Sequence, residues 1–186
     1  MTTGSPHFAR TERPTSQSGF TLIELLIVVA MIAVLATIAF PILLRARITS
    51  NEGVAVAALR TIHSAEAAFA ATCGAGGYAQ SLDDLAKKPA GTTAAFIMDP
   101  YNVNGVIVNG YVANVMPSNG SSTLLPAAET CNGAAADAMT GFVAERHPAS
   151  PSTGVRSFAI DTQGTMYMRM DGVTIDDALA GTITFH

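Results

Sequence analysis

One acidic side chain lies at the start of the longest apolar run in the chain. Glu24 directly precedes residues 25–44, which contain no charged side chain. An ionisable group in a membrane segment is energetically unfavourable and is a functional-site hypothesis by default, with pairing to a cation as its most direct chemistry. Residue 20 lies one helical turn earlier, at the spacing that brings two side chains together on a helix. Glu24 is therefore the first candidate functional residue, and the alternative is a carboxylate that merely reaches the headgroup layer.

Two other sets of side chains have the chemistry of metal ligands. His63 and Glu66 are three residues apart on a predicted helix, but a metal site needs more than two ligands, so we expect a solvated helix face there. Asp171, Asp176 and Asp177 are calcium candidates, although their spacing matches no EF-hand loop. The sequence predicts neither a resident metal nor a cofactor.

The sequence lacks the motifs of common hydrolases and nucleotide-binding enzymes. It has no Gly-x-Ser-x-Gly elbow and no glycine-rich phosphate loop. The net charge of -4 and the absence of a Lys/Arg run give no electrostatic footprint of a nucleic-acid-binding protein. We therefore expect neither an enzyme nor a nucleic-acid partner.

The chain has two cysteines, Cys73 and Cys131. A single disulfide is the usual role of such a pair in an exported domain, and two free buried thiols are the alternative. A bridge would close a loop of about 59 residues, which in the chain-entropy model contributes about 4 kcal/mol.

The element that positions Glu24 is the apolar run that follows it. About 20 residues at 1.5 Å each cover the roughly 30 Å hydrocarbon layer of a bilayer. The thirteen Leu, Ile, Val or Phe residues of 25–44 contribute about -4 to -8 kcal/mol to insertion, against about +3 kcal/mol for one mid-membrane charge. This predicts a membrane span over residues 20–45. The run is too long for the apolar core of a removable secretory signal, and two arginines on each side leave the orientation open.

The helical pattern continues beyond the apolar run, and residues 46–73 form its amphipathic half. One face is marked by apolar residues at steps of seven, four and three, namely Ile48, Ala55, Leu59, Ile62, Phe69 and Cys73. A helix from Phe20 to about Cys73 would be roughly 80 Å long.

Residues 74–186 have a different residue pattern, in which Gly, Ser, Asn and Pro separate short apolar stretches. This predicts a globular antiparallel β domain. Ser81 is a plausible N-cap of a short helix. The other expected elements are strands at 106–116, interrupted at Gly110, and at 141–146, a hairpin of 157–160 and 165–169, and exposed loops at 114–132 and 147–154.

The segment from Gly19 to Leu25, followed by the apolar run, resembles the class III signal of type IV pilins and of the pseudopilins of type II secretion. The order of small residue, aromatic residue, spacer, carboxylate and hydrophobic stretch carries the resemblance. It implies an α+β, type IV pilin-like fold, in which a long N-terminal α-helix with a transmembrane first half packs on a small antiparallel β-sheet. It also implies that a prepilin peptidase cleaves between Gly19 and Phe20, releases the leader 1–19 and methylates the amino group of Phe20.

The same resemblance implies a topology and a set of partners. Residues 1–19 would be cytoplasmic and the rest of the chain would lie outside, as a single-pass inner-membrane precursor. A membrane platform protein and an assembly ATPase would build a homopolymer, in which Glu24 pairs with the processed terminus of a neighbour. Pro41 matches the proline that such subunits carry in the helix, and we expect residues 36–44 to lose helical hydrogen bonds in the assembled fibre.

Three functions are consistent with these observations. The first is a structural subunit of a type IV pilus-like filament on the cell surface. The second is a pseudopilin that forms a periplasmic pseudopilus for type II secretion. The third is a membrane-tethered binding module that does not assemble.

Overall fold

The computed structural model describes residues 19–185. The chain divides after Pro41 into two compact units, of which the second begins at Ile42. One helix, α1 (Leu22–Thr72), contributes residues to both units. The predicted leader lies outside the described residues, apart from Gly19.

Helix α1 is continuous over its 51 residues. It begins two residues after Phe20 and ends one residue before Cys73, close to the predicted limits. Pro41 and Gly53, which weaken helices, both lie inside it. The expectation that residues 36–44 lose helical hydrogen bonds concerns the assembled fibre and stays a prediction.

In the first unit, α1 exposes its apolar side chains. Leu22, Leu26 and Leu35 are 83%, 63% and 68% exposed. Among the described residues, α1 is the one helix long and apolar enough to cross a membrane, and its most apolar stretch is not buried within the chain. Because exposed apolar area is unfavourable in water by about 25 cal/mol per Å², these side chains require lipid or other helices around them.

The second unit contains eight strands arranged in two antiparallel sheets. The strands are β1 (Val106–Val108), β2 (Tyr111–Pro117), β3 (Thr123–Leu125), β4 (Ala138–Met139), β5 (Phe142–Pro148), β6 (Ser157–Asp161), β7 (Met166–Arg169) and β8 (Ile183–Phe185). The main sheet has the order β1-β2-β5-β6-β7-β8, and β3 pairs with β4 in a small second sheet. The fold is therefore α+β, with a long N-terminal helix and an antiparallel sheet, as expected.

The core of the second unit lies between α1 and the main sheet. The helix contributes Ala55, Leu59, Ile62 and Phe69, all fully buried. The main sheet contributes alternate residues of its strands, which point to one face because the side-chain period of a strand is two; these include Tyr111, Ala113, Val115, Phe142, Ala144, Phe158 and Ile160. The predicted helix face is confirmed except at Ile48, which is only half-buried.

Two tight turns set the register of the sheet. Asn109 and Gly110 connect β1 to β2 with φ values of 50° and 74°, the positive pair that a two-residue type I′ hairpin requires. Between β6 and β7, the Asp161 carboxylate accepts hydrogen bonds from the backbone N–H groups of Gln163 and Thr165, each at 2.9 Å. The β6–β7 hairpin was predicted from the sequence and is confirmed. Residues 106–116 were predicted as a strand interrupted at Gly110, and the structure shows that they form a hairpin.

The prediction of exposed loops was partly wrong. Residues 114–116, which were predicted both as the end of a strand and as the start of a loop, belong to β2. There the Asn114 side chain donates a hydrogen bond to the Glu145 carboxylate across the strand pair. Strand β3 also lies within the predicted loop 114–132, and β5 extends to Pro148, into the predicted loop 147–154. Polar residues at alternate positions of a half-exposed strand resemble loop residues in sequence. Strand β8 was not predicted at all.

Helix α2 (Leu82–Ala86) anchors the segment that follows the second cysteine. Its N-cap is Ser81, as predicted, and the Ser81 hydroxyl accepts a hydrogen bond from the Asp84 backbone N–H at 3.2 Å. The buried Asp84 carboxylate accepts hydrogen bonds from the backbone N–H groups of Ala135 and Ala136 and pairs with Lys87 at 2.8 Å. One short helix therefore orders a loop about 50 residues away in sequence.

A disulfide joins Cys73 to Cys131, whose Cα atoms are 4.8 Å apart. Cys73 directly follows α1, so the bridge attaches the end of that helix to the loop that Asp84 also holds. The backbone carbonyl of Cys131 accepts a hydrogen bond from the Ala90 N–H at 3.1 Å. The disulfide thus links the C-terminal end of α1 covalently to a loop that a backbone hydrogen bond holds to Ala90.

An ion pair between the buried Glu52 and the half-exposed Arg156 attaches α1 to the sheet near the start of β6. The Glu52 carboxylate pairs with the Arg156 guanidinium and also accepts hydrogen bonds from the backbone N–H groups of Val155 and Arg156. Burial alone would raise the pKa of Glu52, but these hydrogen bonds and the Arg156 charge outweigh it and lower the pKa. Glu52 therefore stays charged and holds α1 against the loop before β6.

Glu66 corrects the expectation of a solvated helix face. It is fully buried, whereas His63 is half-buried with its ring 6.0 Å from the Phe142 ring centroid. One Glu66 oxygen accepts a hydrogen bond from the Ala79 N–H at 2.8 Å, and the other has no partner among the described residues. Burial, with a smaller contribution from the nearby Asp84 charge, raises the pKa of Glu66 well above its usual range.

Replacing both cysteines with serine should lower the free energy of unfolding by about 2–4 kcal/mol, because the loop that the disulfide closes becomes unrestricted in the unfolded chain. Urea unfolding of the full chain in detergent micelles, followed by far-UV circular dichroism, measures this. Reduction of the unaltered protein is the control and should give the same loss. Equal free energies of unfolding for the doubly substituted protein and the unaltered, oxidised protein would show that the bridge does not constrain the unfolded state.

Glu66→Gln should stabilise the second unit progressively more as the pH rises above about 4.5. The raised pKa means that the folded state holds the proton more tightly than the unfolded state, so the contribution of Glu66 is complete at low pH and is lost as the pH rises towards its folded-state value. Urea unfolding at several pH values measures the difference from the unaltered chain. The exposed Glu129→Gln is the matched control, and a pH-independent difference for Glu66→Gln would contradict the assignment.

Candidate processing and assembly site

The peptide bond between Gly19 and Phe20 lies outside any helix. Gly19, Phe20 and Thr21 have no regular secondary structure, and α1 begins at the next residue. Phe20 is 80% exposed, and a Cβ atom placed on Gly19 would meet no atom within 4 Å. Among the described residues, the backbone directly before the helix is therefore open to a peptidase.

Thr21 and Glu24 cap the first turn of α1 together. The Glu24 backbone N–H donates to the Thr21 hydroxyl at 3.2 Å, and that hydroxyl lies 3.5 Å from one Glu24 carboxylate oxygen. The first hydrogen bond of the helix runs from the Leu25 N–H to the Thr21 carbonyl at 3.2 Å. The role of Thr21 was not predicted from the sequence, although the spacing Thr-x-x-Glu is the known signature of a capping box.

Glu24 has no cationic partner among the described residues. It is exposed, and it takes part in none of the ion pairs found within residues 19–185. The positive end of the helix dipole favours a carboxylate in the first turn, but by only a fraction of a kcal/mol to about 1 kcal/mol. Its carboxylate is therefore available for a stronger partner.

Pro41, the other residue predicted to act in assembly, lies 17 positions after Glu24 on the same helix. It marks the end of the first compact unit. The apolar side chains between the two residues are exposed along the whole stretch. The structure therefore presents an acid at one end of an uncovered apolar helix surface and a proline at the other.

The three aspartates named as calcium candidates do not form a cluster. In the part of the chain that the structure describes, no three His, Cys, Asp or Glu side chains lie close enough to share a metal ion. The Asp171 carboxylate instead accepts hydrogen bonds from Arg169 at 2.8 and 2.9 Å, and Asp176 accepts one from the Ala180 N–H at 3.1 Å. These contacts explain the aspartates through local loop structure.

Comparison with known proteins identifies the N-terminal segment. Residues 14–40 match the family model of the prokaryotic N-terminal methylation motif. No curated protein and no solved structure gives a significant match to the chain. The motif includes the exposed Gly19–Phe20 bond, the capped first turn and most of the apolar run, so the match covers the residues whose geometry is described above. The chain carries the class III signal of type IV pilins and pseudopilins, and this signal supports its assignment to that class as a membrane-anchored precursor.

Proposed function

We propose that this protein is the structural subunit of a type IV pilus-like extracellular filament. The subunits assemble by helix–helix packing after removal of residues 1–19 and N-methylation of Phe20. The observation that carries the proposal is an acid that pairs with no cation among residues 19–185, in the first turn of an exposed apolar helix and directly after the processing motif. The subunit itself carries out no catalysis.

Processing creates the missing cation. Cleavage after Gly19 would leave an amino group on Phe20, four residues before Glu24 and adjacent to the capping residue Thr21. In a lone subunit, the amine and the carboxylate can partner each other across one helical turn. In a bundle of helices, Glu24 can instead meet the amine of a neighbouring copy.

The strength of such a pair is sufficient to set the axial register of the helices. Two unit charges 4 Å apart interact by about 4 kcal/mol at an effective dielectric constant of 20. Leaving one of them buried without a partner is strongly unfavourable, so registers that separate the pair are excluded. A single buried polar residue specifies register in coiled coils in the same way.

The apolar half of α1 has the surface that such packing needs. Its exposed side chains are large and aliphatic on most sides, and alanines recur every third position at 30, 33, 36 and 39. Small residues let helix backbones approach closely in lipid, where van der Waals contact drives association. Once the helices leave the membrane, burial of the same surface stabilises the filament core.

The proposal requires partners that the chain does not contain. A prepilin peptidase would remove the leader, and a membrane platform protein with an assembly ATPase would extract subunits and add them to the growing filament. Before assembly, the subunit would be a single-pass protein of the inner membrane. After assembly, it would be part of a homopolymer at the cell surface.

The same motif is carried by pseudopilins, so a periplasmic pseudopilus for type II secretion is the alternative. Shearing cells and imaging the supernatant separates the two functions, because a pilus is shed as long fibres and a pseudopilus stays in the periplasm. A membrane-tethered binding module is the third function. It requires no contact between copies, so the Glu24 variants described below would leave it unaffected.

Gly19→Val should block removal of the leader without altering the fold, because the space around Gly19 is open and the substitution affects only recognition by the peptidase. Mass spectrometry of the N-terminal peptide measures the result. The unaltered chain should begin at an N-methylated Phe20, and the variant should retain residues 1–19. Gly53→Ala, at a helical position that is equally open, is the control and should be processed normally; processing of Gly19→Val would place the cleavage site elsewhere.

Glu24→Gln should reduce filament yield by at least about tenfold, because a pair worth more than about 1.4 kcal/mol per subunit is lost. Leader cleavage should continue. Glutamine at this position keeps the backbone N–H that donates to the Thr21 hydroxyl and is itself compatible with a capping box, so a loss of assembly isolates the charge of Glu24 from its capping role. Electron microscopy and immunoblotting of sheared fibres measure the yield.

Thr21→Ala is the matched variant for Glu24→Gln. It removes the cap but leaves the carboxylate, so filaments should still form, with the first helical turn less stable by about 1 kcal/mol. The opposite result, in which Thr21→Ala abolishes filaments and Glu24→Gln does not, would show that Glu24 acts only as a capping residue.

A further inference from the structure

Three loops meet at one end of the main sheet, and we call them the sheet tip: residues 109–110, 149–156 and 170–173. A Cβ atom on Gly110 would lie 2.6 Å from the Thr153 side chain, so the first two loops are in close contact. A Cβ atom on Gly172 would lie 2.9 Å from the Val155 carbonyl oxygen, which brings the third loop against the second. The sheet tip is therefore a packed surface of the second unit.

Helix α1 fixes the position of the sheet tip along its axis. The Asn51 side-chain amide donates to the Thr153 carbonyl at 2.9 Å. On the next residue, the Glu52 carboxylate accepts hydrogen bonds from the backbone N–H groups of Val155 and Arg156, each at 3.3 Å. The loop 149–156 thus lies at the level of Asn51 and Glu52.

That level is close to the end of the apolar run. Residues 42–44, the last of the run, belong to the same compact unit as the sheet tip. Asn51 lies seven positions after Leu44, which corresponds to about 10 Å along a helix. The polar layer on each side of a bilayer is roughly 5–8 Å thick. With residues 42–44 at the edge of the hydrocarbon core, the level of Asn51 is therefore roughly 2–5 Å beyond that layer.

The surface chemistry of the sheet tip fits a lipid interface. Val155, Met170 and Val173 are 54%, 62% and 50% exposed, although they are large apolar side chains. Arg45 and Arg47 are exposed between the apolar run and the sheet tip, and neither takes part in an ion pair among residues 19–185. Apolar side chains next to arginines are the combination that binds anionic membrane surfaces.

We propose that the sheet tip contacts the headgroup layer of the membrane in the unassembled subunit, through Val155, Met170 and Val173. The contact would hold the second unit on the bilayer while the subunit waits for assembly, and extraction into the filament would break it. This inference rests on the proposed function, in which the unassembled subunit is anchored in the membrane by the apolar half of α1.

The absence of tryptophan from the chain allows a direct test. Single Val155→Trp and Met170→Trp variants of the full chain are reconstituted in phosphatidylcholine–phosphatidylglycerol vesicles that contain headgroup-spin-labelled phosphatidylcholine. Both variants should show blue-shifted tryptophan emission and strong quenching by the spin label. Agreement between the two positions would exclude an effect of one tryptophan on its local environment.

Leu124→Trp is the matched control. Leu124 is 47% exposed, and its side chain lies 3.7 Å from the Cβ position of Gly76, beyond the C-terminal end of α1. The 20 residues from Glu52 to Thr72 place that end about 30 Å further along the helix. Leu124→Trp should therefore show several-fold weaker quenching, and equal quenching of the three variants would overturn the proposal.

Met31→Trp, in the middle of the apolar run, separates a failure of this inference from a failure of the proposed function. One outcome is that brominated acyl chains quench Met31→Trp while the headgroup spin label quenches neither Val155→Trp nor Met170→Trp. This result would confirm the membrane anchor and overturn only the membrane contact of the sheet tip. No quenching at position 31 would overturn both. A different outcome is a blue shift at positions 155 and 170 that increases with the number of protein molecules per vesicle, without quenching by the spin-labelled lipid. It would show that a second copy covers the sheet tip, which also overturns the proposal.

Discussion

A carboxylate in the first turn of a membrane-length apolar helix is the constraint on which this molecule depends. Glu24 has three ways to avoid an unfavourable environment: the headgroup layer, the N-terminus of its own helix, or a cation on another copy. Within residues 19–185, the N-terminus of the helix stabilises the carboxylate weakly, through the Thr21 hydroxyl and the helix dipole. Processing at the exposed Gly19–Phe20 bond would create a cation in every copy, so the same reaction that releases the leader also prepares the subunit for pairing.

The second half of the same helix has a different task, since it forms one wall of the domain core. Ala55, Leu59, Ile62 and Phe69 are packed against the main sheet, and polar contacts hold the helix at several levels. Glu52 binds the loop before β6, Glu66 binds the backbone at Ala79, and the disulfide fixes the end at Cys73. Because these contacts are distributed over more than 20 residues, a force applied to this part of the helix is shared among several segments of the second unit.

Features with a local or periodic signal could be predicted from the sequence. The apolar face of α1, the Ser81 N-cap and the hairpin around residues 161–164 depend on spacing or on turn residues, and the structure confirms them. The processing motif could also be recognised from the sequence, because its residues are consecutive.

Features that depend on contacts distant in sequence could not be predicted. Glu66 resembles a solvated helix residue until the Ala79 backbone and the core close around it. Arg146 is fully buried because the carbonyl oxygens of Val108 and Tyr111 and the Tyr101 hydroxyl accept its hydrogen bonds, and none of these partners is near it in sequence. Strand β8 has only three residues, and its pairing with β7 determines its structure more than its own sequence does.

A cryo-EM map of purified filaments, at a resolution that shows side chains, tests the central claim most directly. The account predicts that the Glu24 carboxylate lies within hydrogen-bonding distance of the methylated Phe20 amine of an adjacent subunit, in every copy along the filament. A map in which Glu24 contacts only Thr21 and the terminus of its own chain, with neighbouring helices packed through apolar side chains alone, would contradict it.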